Sequence, residues 1–307
     1  MSTTGTTAFN LDVNDLIEEA FERCGRELRT GYDFRTARRS LNLLTIEWAN
    51  KGINLWTVEQ GVIPMVTGQA MYPYPADTID MMDMVIRQNN GTSNQMDINI
   101  SRIAEPTYMS LPNKLAQGRP IQVYINRQSG QSNPTTATLS GNIGTTDTTI
   151  TLSSTVGLAS AGFIQIDSET ISYPNISGNQ LLNCARGQNN TTATAHNTGA
   201  AITVQNLPCI NVWPTPNSPG NQYTFVYYRL RRIQDAGSGV YVQDIPFRFI
   251  PCMVAGLAYQ LSTKLADVDP NRIMMLKAAY DEAFQLAADE DRDKSPVRFV
   301  PRNMFYA

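Results

Sequence analysis

The feature that most constrains this chain is a change of texture near its middle. From residue 129 to residue 205 the sequence is dominated by Thr, Ser, Asn and Gly and carries hardly any charge. Short β-branched or aromatic runs recur in it, at 149–152, 163–166, 170–173 and 201–204. Runs of that length separated by turn residues describe a small all-β module. Both flanks read as parts of one sheet, so the module is expected to be inserted in a loop of the surrounding domain, where insertions are tolerated.

Outside that stretch the ends of the chain are helical. Val13, Leu16, Ile17, Ala20, Phe21 and Cys24 recur at helical spacing and form one apolar stripe. Asp12 serves as N-cap, early acids and Arg23, Arg26 and Arg29 match the two poles of the helix dipole, and Gly31 is the expected stop. A second helix is predicted from about 33 to 50, with Phe34, Ala37, Leu41, Leu44 and Trp48 as its seam, so that the pair forms a helix hairpin. Arg35, Arg38 and Arg39 stand near its start, where the dipole disfavours cations. They are candidate contacts to a neighbouring subunit or to a DNA-lined lumen, or simply a solvated face.

Strands are expected within 55–66, at 81–86, 120–126, 209–213 and 223–230. The last part returns to helix. Pro251 marks a first turn leading to Leu257 and Leu261, and Asp269 caps a final helix that begins at Pro270. The predicted class is therefore α+β: a helical body, made of the N-terminal hairpin and the C-terminal helices, with a small antiparallel β part and the inserted all-β module. The expected domains are residues 1–128 with 206–291 as a discontinuous body, 129–205 as the module, and 292–307 as an extended tail.

That tail is unlike the rest. Pro296 and Pro301 forbid a helix through it, yet Val297, Phe299, Val300, Met304, Phe305 and Tyr306 are strongly apolar, and Arg292, Lys294, Arg298 and Arg302 add positive charge. A disordered tail is normally poor in such side chains. An extended strip of large apolar groups and spaced arginines suits docking on another protein.

Catalytic chemistry has little to work with. The only histidine, His196, sits in a Thr/Ala/Gly/Asn run and is read as a loop residue, and Cys24, Cys184, Cys209 and Cys252 are scattered and read as buried thiols. Walker, dinucleotide-binding and nucleophile-elbow motifs do not occur, so neither an enzyme nor a cofactor or metal is expected. Asp289, Glu290, Asp291 and Asp293 alternate with Arg292 and Lys294 as a solvated ion-pair cluster would. Charged residues are 17% of the chain, against roughly a quarter in typical domains, and net charge is −3. A tight grip on nucleic acid needs a basic excess, so this balance disfavours one while allowing a channel through which DNA slides. The N-terminal arm lacks the charged start and apolar core of a signal peptide, and no apolar run approaches the roughly 20 residues that cross a bilayer.

Several segments together resemble the head-to-tail adaptors of short-tailed phages, also called tail tubular or tail accessory proteins. They are Arg102-Ile103 onward through Leu111-Pro112-Asn113-Lys114 and Gly118-Arg119-Pro120, then Val212-Trp213-Pro214-Thr215-Pro216. Further on come Pro251-Cys252-Met253-Val254-Ala255-Gly256-Leu257-Ala258-Tyr259 and Glu290-Asp291-Arg292-Asp293 leading into Val297-Arg298-Phe299-Val300-Pro301. The resemblance covers nearly all of 12–126 and 208–301. It implies a virion protein of the tail or neck, assembled in the host cytoplasm as a dodecameric homo-oligomer ring. Portal protein would lie above and tail nozzle or tail fibre proteins below, with DNA passing through without sequence-specific binding. It implies a portal-docking tail carried by Arg292, Arg298, Phe299, Val300, Pro301, Arg302 and Phe305, and no enzyme activity, cofactor or membrane. The module departs from the minimal adaptor; its run 164–173 and Cys184-Ala185-Arg186-Gly187 are similar to β modules of assorted phage structural proteins.

Two other readings compete. A receptor- or carbohydrate-binding virion protein would use the module for recognition, yet Phe163 and Tyr173 are its only aromatics. A glycan-degrading hydrolase would need paired carboxylates in a cleft, and the module offers Asp147, Asp167 and Glu169.

Overall fold

A computed structural model describes residues 11–292, apart from 54, 129 and 221. The architecture is α+β. The chain divides into two compact units, one of residues up to 58 together with those from 231 onward, the other of residues 59–230. Five α-helices lie among the described residues: α1 (Val13–Arg23), α2 (Gly31–Asn50), α3 (Glu105–Met109), α4 (Ile250–Ser262) and α5 (Pro270–Glu290). All but the short α3 belong to the first unit.

The helical periodicity translates directly into the first unit's core. Val13, Ile17, Ala20 and Phe21 of α1 pack with Leu41, Leu44 and Trp48 of α2 and with Met253, Leu257 and Leu261 of α4. Full burial of an aliphatic or aromatic side chain of this kind stabilises by ~1.5–3 kcal/mol. Gly256 lets the helices close up: a Cβ there would lie 2.8 Å from the Tyr280 ring and 3.0 Å from Leu44. Trp48 Nε1 donates to the Tyr280 hydroxyl at 3.2 Å, which satisfies the one polar atom that the buried indole brings inside.

The join between α1 and α2 differs from the sequence expectation. α1 ends at Arg23 with Cys24 as its cap, and Gly25 takes a left-handed φ of +78°, so the stop is Gly25 and not Gly31. Gly31 is the first residue of α2. Thr30 accepts from the Asp33 N–H while the Asp33 carboxylate accepts from the Thr30 N–H, and this reciprocal cap sets the start two residues ahead of Asp33. Arg26 and Arg29 therefore lie in the connection, where Arg26 pairs with Asp267 and Arg29 with Glu27. At the other end, Asp269 caps α5 with Pro270 in its first turn, as the sequence implies.

The second unit is built of strands. One four-stranded sheet runs in the order Val58–Pro64, Tyr223–Arg231, Thr78–Gln88, Met96–Asn99, and another in the order Met71–Pro73, Cys209–Trp213, Gln122–Asn126, Ser101–Arg102. Met81, Ile86, Val123, Ile210, Val212 and Phe225 form a shared core. Between Gln122–Asn126 and Cys209–Trp213, which pair antiparallel, the chain leaves to build two more sheets. Five strands assemble in the order Ala185–Gln188, Glu169–Tyr173, Gly162–Ile166, Ala201–Gln205, Ser132–Thr138, and three in the order Asn175–Ser177, Gln180–Leu182, Ile150–Thr151. They enclose their own apolar cluster of Leu139, Leu152, Ile164, Ile166, Ile171 and Leu181. Phe163 faces out of that cluster and packs with Met71, Leu207 and Cys209.

Candidate functional site

The outward face of α2 is the place where the sequence and its folded surroundings are least reconciled. Tyr32, Arg35, Arg39, Leu43 and Ile46 follow one another at three- and four-residue steps and so share one side of the helix. Tyr32 is 65% exposed, and Leu43 and Ile46 are 57% exposed. Arg35 reaches only the Gly31 carbonyl at 3.3 Å and Arg39 only the Thr36 hydroxyl at 3.4 Å. Arg38 stands half-buried beside this stripe. Among the described residues none of Arg35, Arg38 and Arg39 makes an ion pair. A stripe of aromatic, aliphatic and arginine side chains without acidic partners has the composition of a protein–protein contact. On α5, Met274, Met275 and Leu286 are likewise exposed.

At the C-terminal end two acids of the expected cluster pair with cations and a third takes a backbone donor, while Asp293 lies outside the described residues. Arg292 pairs with Asp289 at 2.7 Å, Glu290 with Arg248 at 3.2 Å, and the Asp291 carboxylate accepts from the Leu55 N–H at 3.2 Å. Of the tail, only Arg292 is among the described residues; Arg298, Phe299, Val300, Pro301, Arg302 and Phe305 lie outside them.

His196 lies in an irregular stretch, as the sequence implies, but it is not free there. It is 3% exposed, its backbone bridges that of Ile143, and its ring lies between two carboxylates. Nδ1 is 2.7 Å from Asp167 Oδ2 and Nε2 is 2.8 Å from Glu169 Oε2, contacts that are both satisfied when each nitrogen carries a proton. Glu169 is fully buried and accepts from Arg186 in bidentate fashion at 2.8 Å, from the Gly187 and Thr194 N–H groups and from His196. Burial alone would raise the Glu169 carboxyl, but these donors hold it down at about 2. Asp167 occupies a left-handed φ of +51° in the two-residue hairpin loop before Glu169, a conformation that Asp tolerates well. Every lone pair of Glu169 is therefore spoken for by the protein itself. The cluster is a structural pin. The sequence held one signal for it: Asp147, Asp167, Glu169 and Arg186 are the four charged residues in 129–205, and three of them meet here.

The remaining candidates for chemistry are either buried thiols or a half-exposed carboxylate already paired with arginines. Burial pushes the Cys24 and Cys209 thiols up to about 11 and those of Cys184 and Cys252 to about 12, so none offers a thiolate near neutral pH. Asp80 pairs with Arg102 and Arg127, and their hydrogen bonds and charge outweigh its burial and lower its carboxyl. Among the described residues no group of three His, Cys, Asp or Glu is placed to hold a metal, and no helix is long and apolar enough to cross a membrane.

The family model of the SU10 adaptor protein matches residues 120–300, more than half of the chain. The chain belongs to the SU10 adaptor protein family. No curated protein matches it. As a phage adaptor it is a structural protein that interacts with other virion components. The range that matches the adaptor family takes in the strands 162–205, the pinned His196 cluster, α4, α5 and the apolar tail as far as Val300. α1 and α2, the second of which carries the Tyr32–Ile46 stripe, lie before it.

Proposed function

We propose that this adaptor is a head-to-tail connector: twelve copies close into a ring between the portal and the tail nozzle or fibres, and the ring helps to retain packaged DNA. The family match carries the reading. The exposed stripe Tyr32, Arg35, Arg39, Leu43 and Ile46 supports it, because a ring needs a lateral contact on every subunit and this face has the side chains for one. Summed around a closed ring, modest contacts give effectively irreversible assembly. A net charge of −3 suits a ring that lets DNA pass without gripping it. The likeness to the tail tubular proteins of short-tailed phages belongs to the same proposal.

The tail from Arg292, with Arg298, Phe299, Val300, Pro301, Arg302 and Phe305, is read as the strip that docks on the portal. Residues 129–205 are read as an inserted module facing the nozzle, the fibres or an adjacent copy. The glycan-binding alternative is less favoured, since both aromatics of the module, Phe163 and Tyr173, are buried and give a sugar no ring to stack on.

The test is deletion of residues 292–307. The truncated chain should keep its circular dichroism and cooperative unfolding and lose binding to purified portal. Portal binding at full strength by a folded, truncated chain would refute the role of the tail.

A further inference from the structure

A groove of about 470 Å³ runs between α1 and the start of α4. Its α1 wall is acidic: Asp15, Glu18, Glu19 and Glu22 line it in successive turns. Glu19 is paired with Arg23 at 2.8 Å, whereas Asp15, Glu18 and Glu22 make no ion pair among the described residues. Like charges three and four residues apart destabilise a helix, and Glu22 also stands in the last turn, where the dipole disfavours a carboxylate. The other wall is apolar, formed by Ile250, Pro251 and Val254. Such a groove fits an extended segment with cations along one edge and apolar groups along the other.

The chain carries one, and it begins beside the groove. Glu290, at the end of α5, pairs with Arg248, two residues before Ile250. Beyond Arg292 come 15 residues, a reach of up to about 50 Å when extended. Lys294, Arg298 and Arg302 against Asp293 make their side chains net positive. Side chains alternate along an extended backbone, so over 294–299 such a backbone would put Lys294 and Arg298 on one edge and Val297 and Phe299 on the other.

We propose that this groove is the resting seat of the start of the chain's own C-terminal segment, residues 294–299, in the unassembled subunit, with Lys294 and Arg298 against Asp15, Glu18 and Glu22 and with Val297 and Phe299 against Ile250, Pro251 and Val254. The inference rests on reading the tail as a docking strip, and gives it a second, earlier partner. A seated tail hides Val297 and Phe299 until the portal offers a competing site, so premature self-association is suppressed.

The full chain provides the test, because Lys294 is the only lysine of the tail. A zero-length carbodiimide should join Lys294 to Asp15, Glu18 or Glu22 in the monomer fraction, with a yield independent of protein concentration. The link should fall at least several-fold in Arg298→Glu and in 1 M salt, where the screening length is about 3 Å. Amides of residues 15–22 should exchange faster in the chain ending at 292. Lys294 linked only to acids outside α1, or linked between isotopically distinct chains with a yield that rises with concentration, would overturn the seat. Portal binding by the same variants reads the docking role separately: a truncated chain that loses the portal while full-length protein shows no α1 link sinks the seat alone.

Discussion

On α2, Arg35 and Arg39 stand on an exposed face beside Tyr32, Leu43 and Ile46, whereas among the strands 162–205 the single arginine, Arg186, is buried against Glu169. The two regions treat charge in opposite ways. In the helical unit the cations of this face reach nothing acidic among the described residues, and large apolar groups are left in solvent. Among residues 129–205 four charged residues serve 77 positions, and three of them, with His196, are used up on one another. Unsatisfied groups on a surface are available to a partner, and saturated groups inside are not. The proposed subunit contact on the helical face rests on this difference, as does the structural role given to the buried Glu169 cluster.

Glu169→Ala should break that contrast most severely. It leaves Arg186 and His196 buried without their shared acceptor, and loss of one partner of a buried pair costs about 3–5 kcal/mol. Urea denaturation or amide exchange of 162–205 should show it; a loss below about 1 kcal/mol would mean that the pin is not what holds the module. The same group sets an acid limit. Its carboxyl lies near 2 in the folded chain against an ordinary 4.5, so its stabilisation is complete above about 4.5 and fades as pH falls towards 2. Glu169→Gln should flatten this part of the stability profile between pH 5 and 2, and an unchanged slope would contradict the assignment.

A smaller effect is expected from Tyr280→Phe in the helical unit. It strips Trp48 Nε1 of its acceptor and should cost about 1–3 kcal/mol, seen as an earlier midpoint in tryptophan-detected unfolding. A neutral result would show that the indole finds another partner. On the α2 face, Leu43→Asp should change monomer stability by no more than about 0.5 kcal/mol, since the side chain is mostly in solvent. Its effect should appear in association instead, as a fall of at least about tenfold in self-association by analytical ultracentrifugation, equivalent to ~1.4 kcal/mol. Association unchanged by Leu43→Asp would move the subunit contact off this face.

The sequence made the helices of the first unit legible because their apolar residues recur with the right period: the Val13–Phe21 and Leu41–Trp48 stripes are the ones found in the core, whereas the five-residue α3, which buries nothing, was not read. The longer β runs, such as Cys209–Trp213 and Gly162–Ile166, were visible through their β-branched residues. Strands Ser132–Thr138, Asn175–Ser177, Gln180–Leu182 and Ala185–Gln188 were not, since they are short or rich in Ser, Thr, Asn and Gln and show no clean alternation. The His196 pin escaped for another reason. Its partners Asp167 and Glu169 lie 29 and 27 residues away, and only the closing of the hairpins brings them together. A cap can also override a stop signal, as Thr30 and Asp33 do by drawing Gly31 into α2.

The central claim is that copies of this chain close into a ring on the portal. Purified full-length protein mixed with purified portal and imaged in negative stain tests it most directly. Twelve-fold rings seated on one end of the portal are the expected result, with none formed by the chain that lacks 292–307. Portal particles left bare beside dispersed monomers would contradict the account.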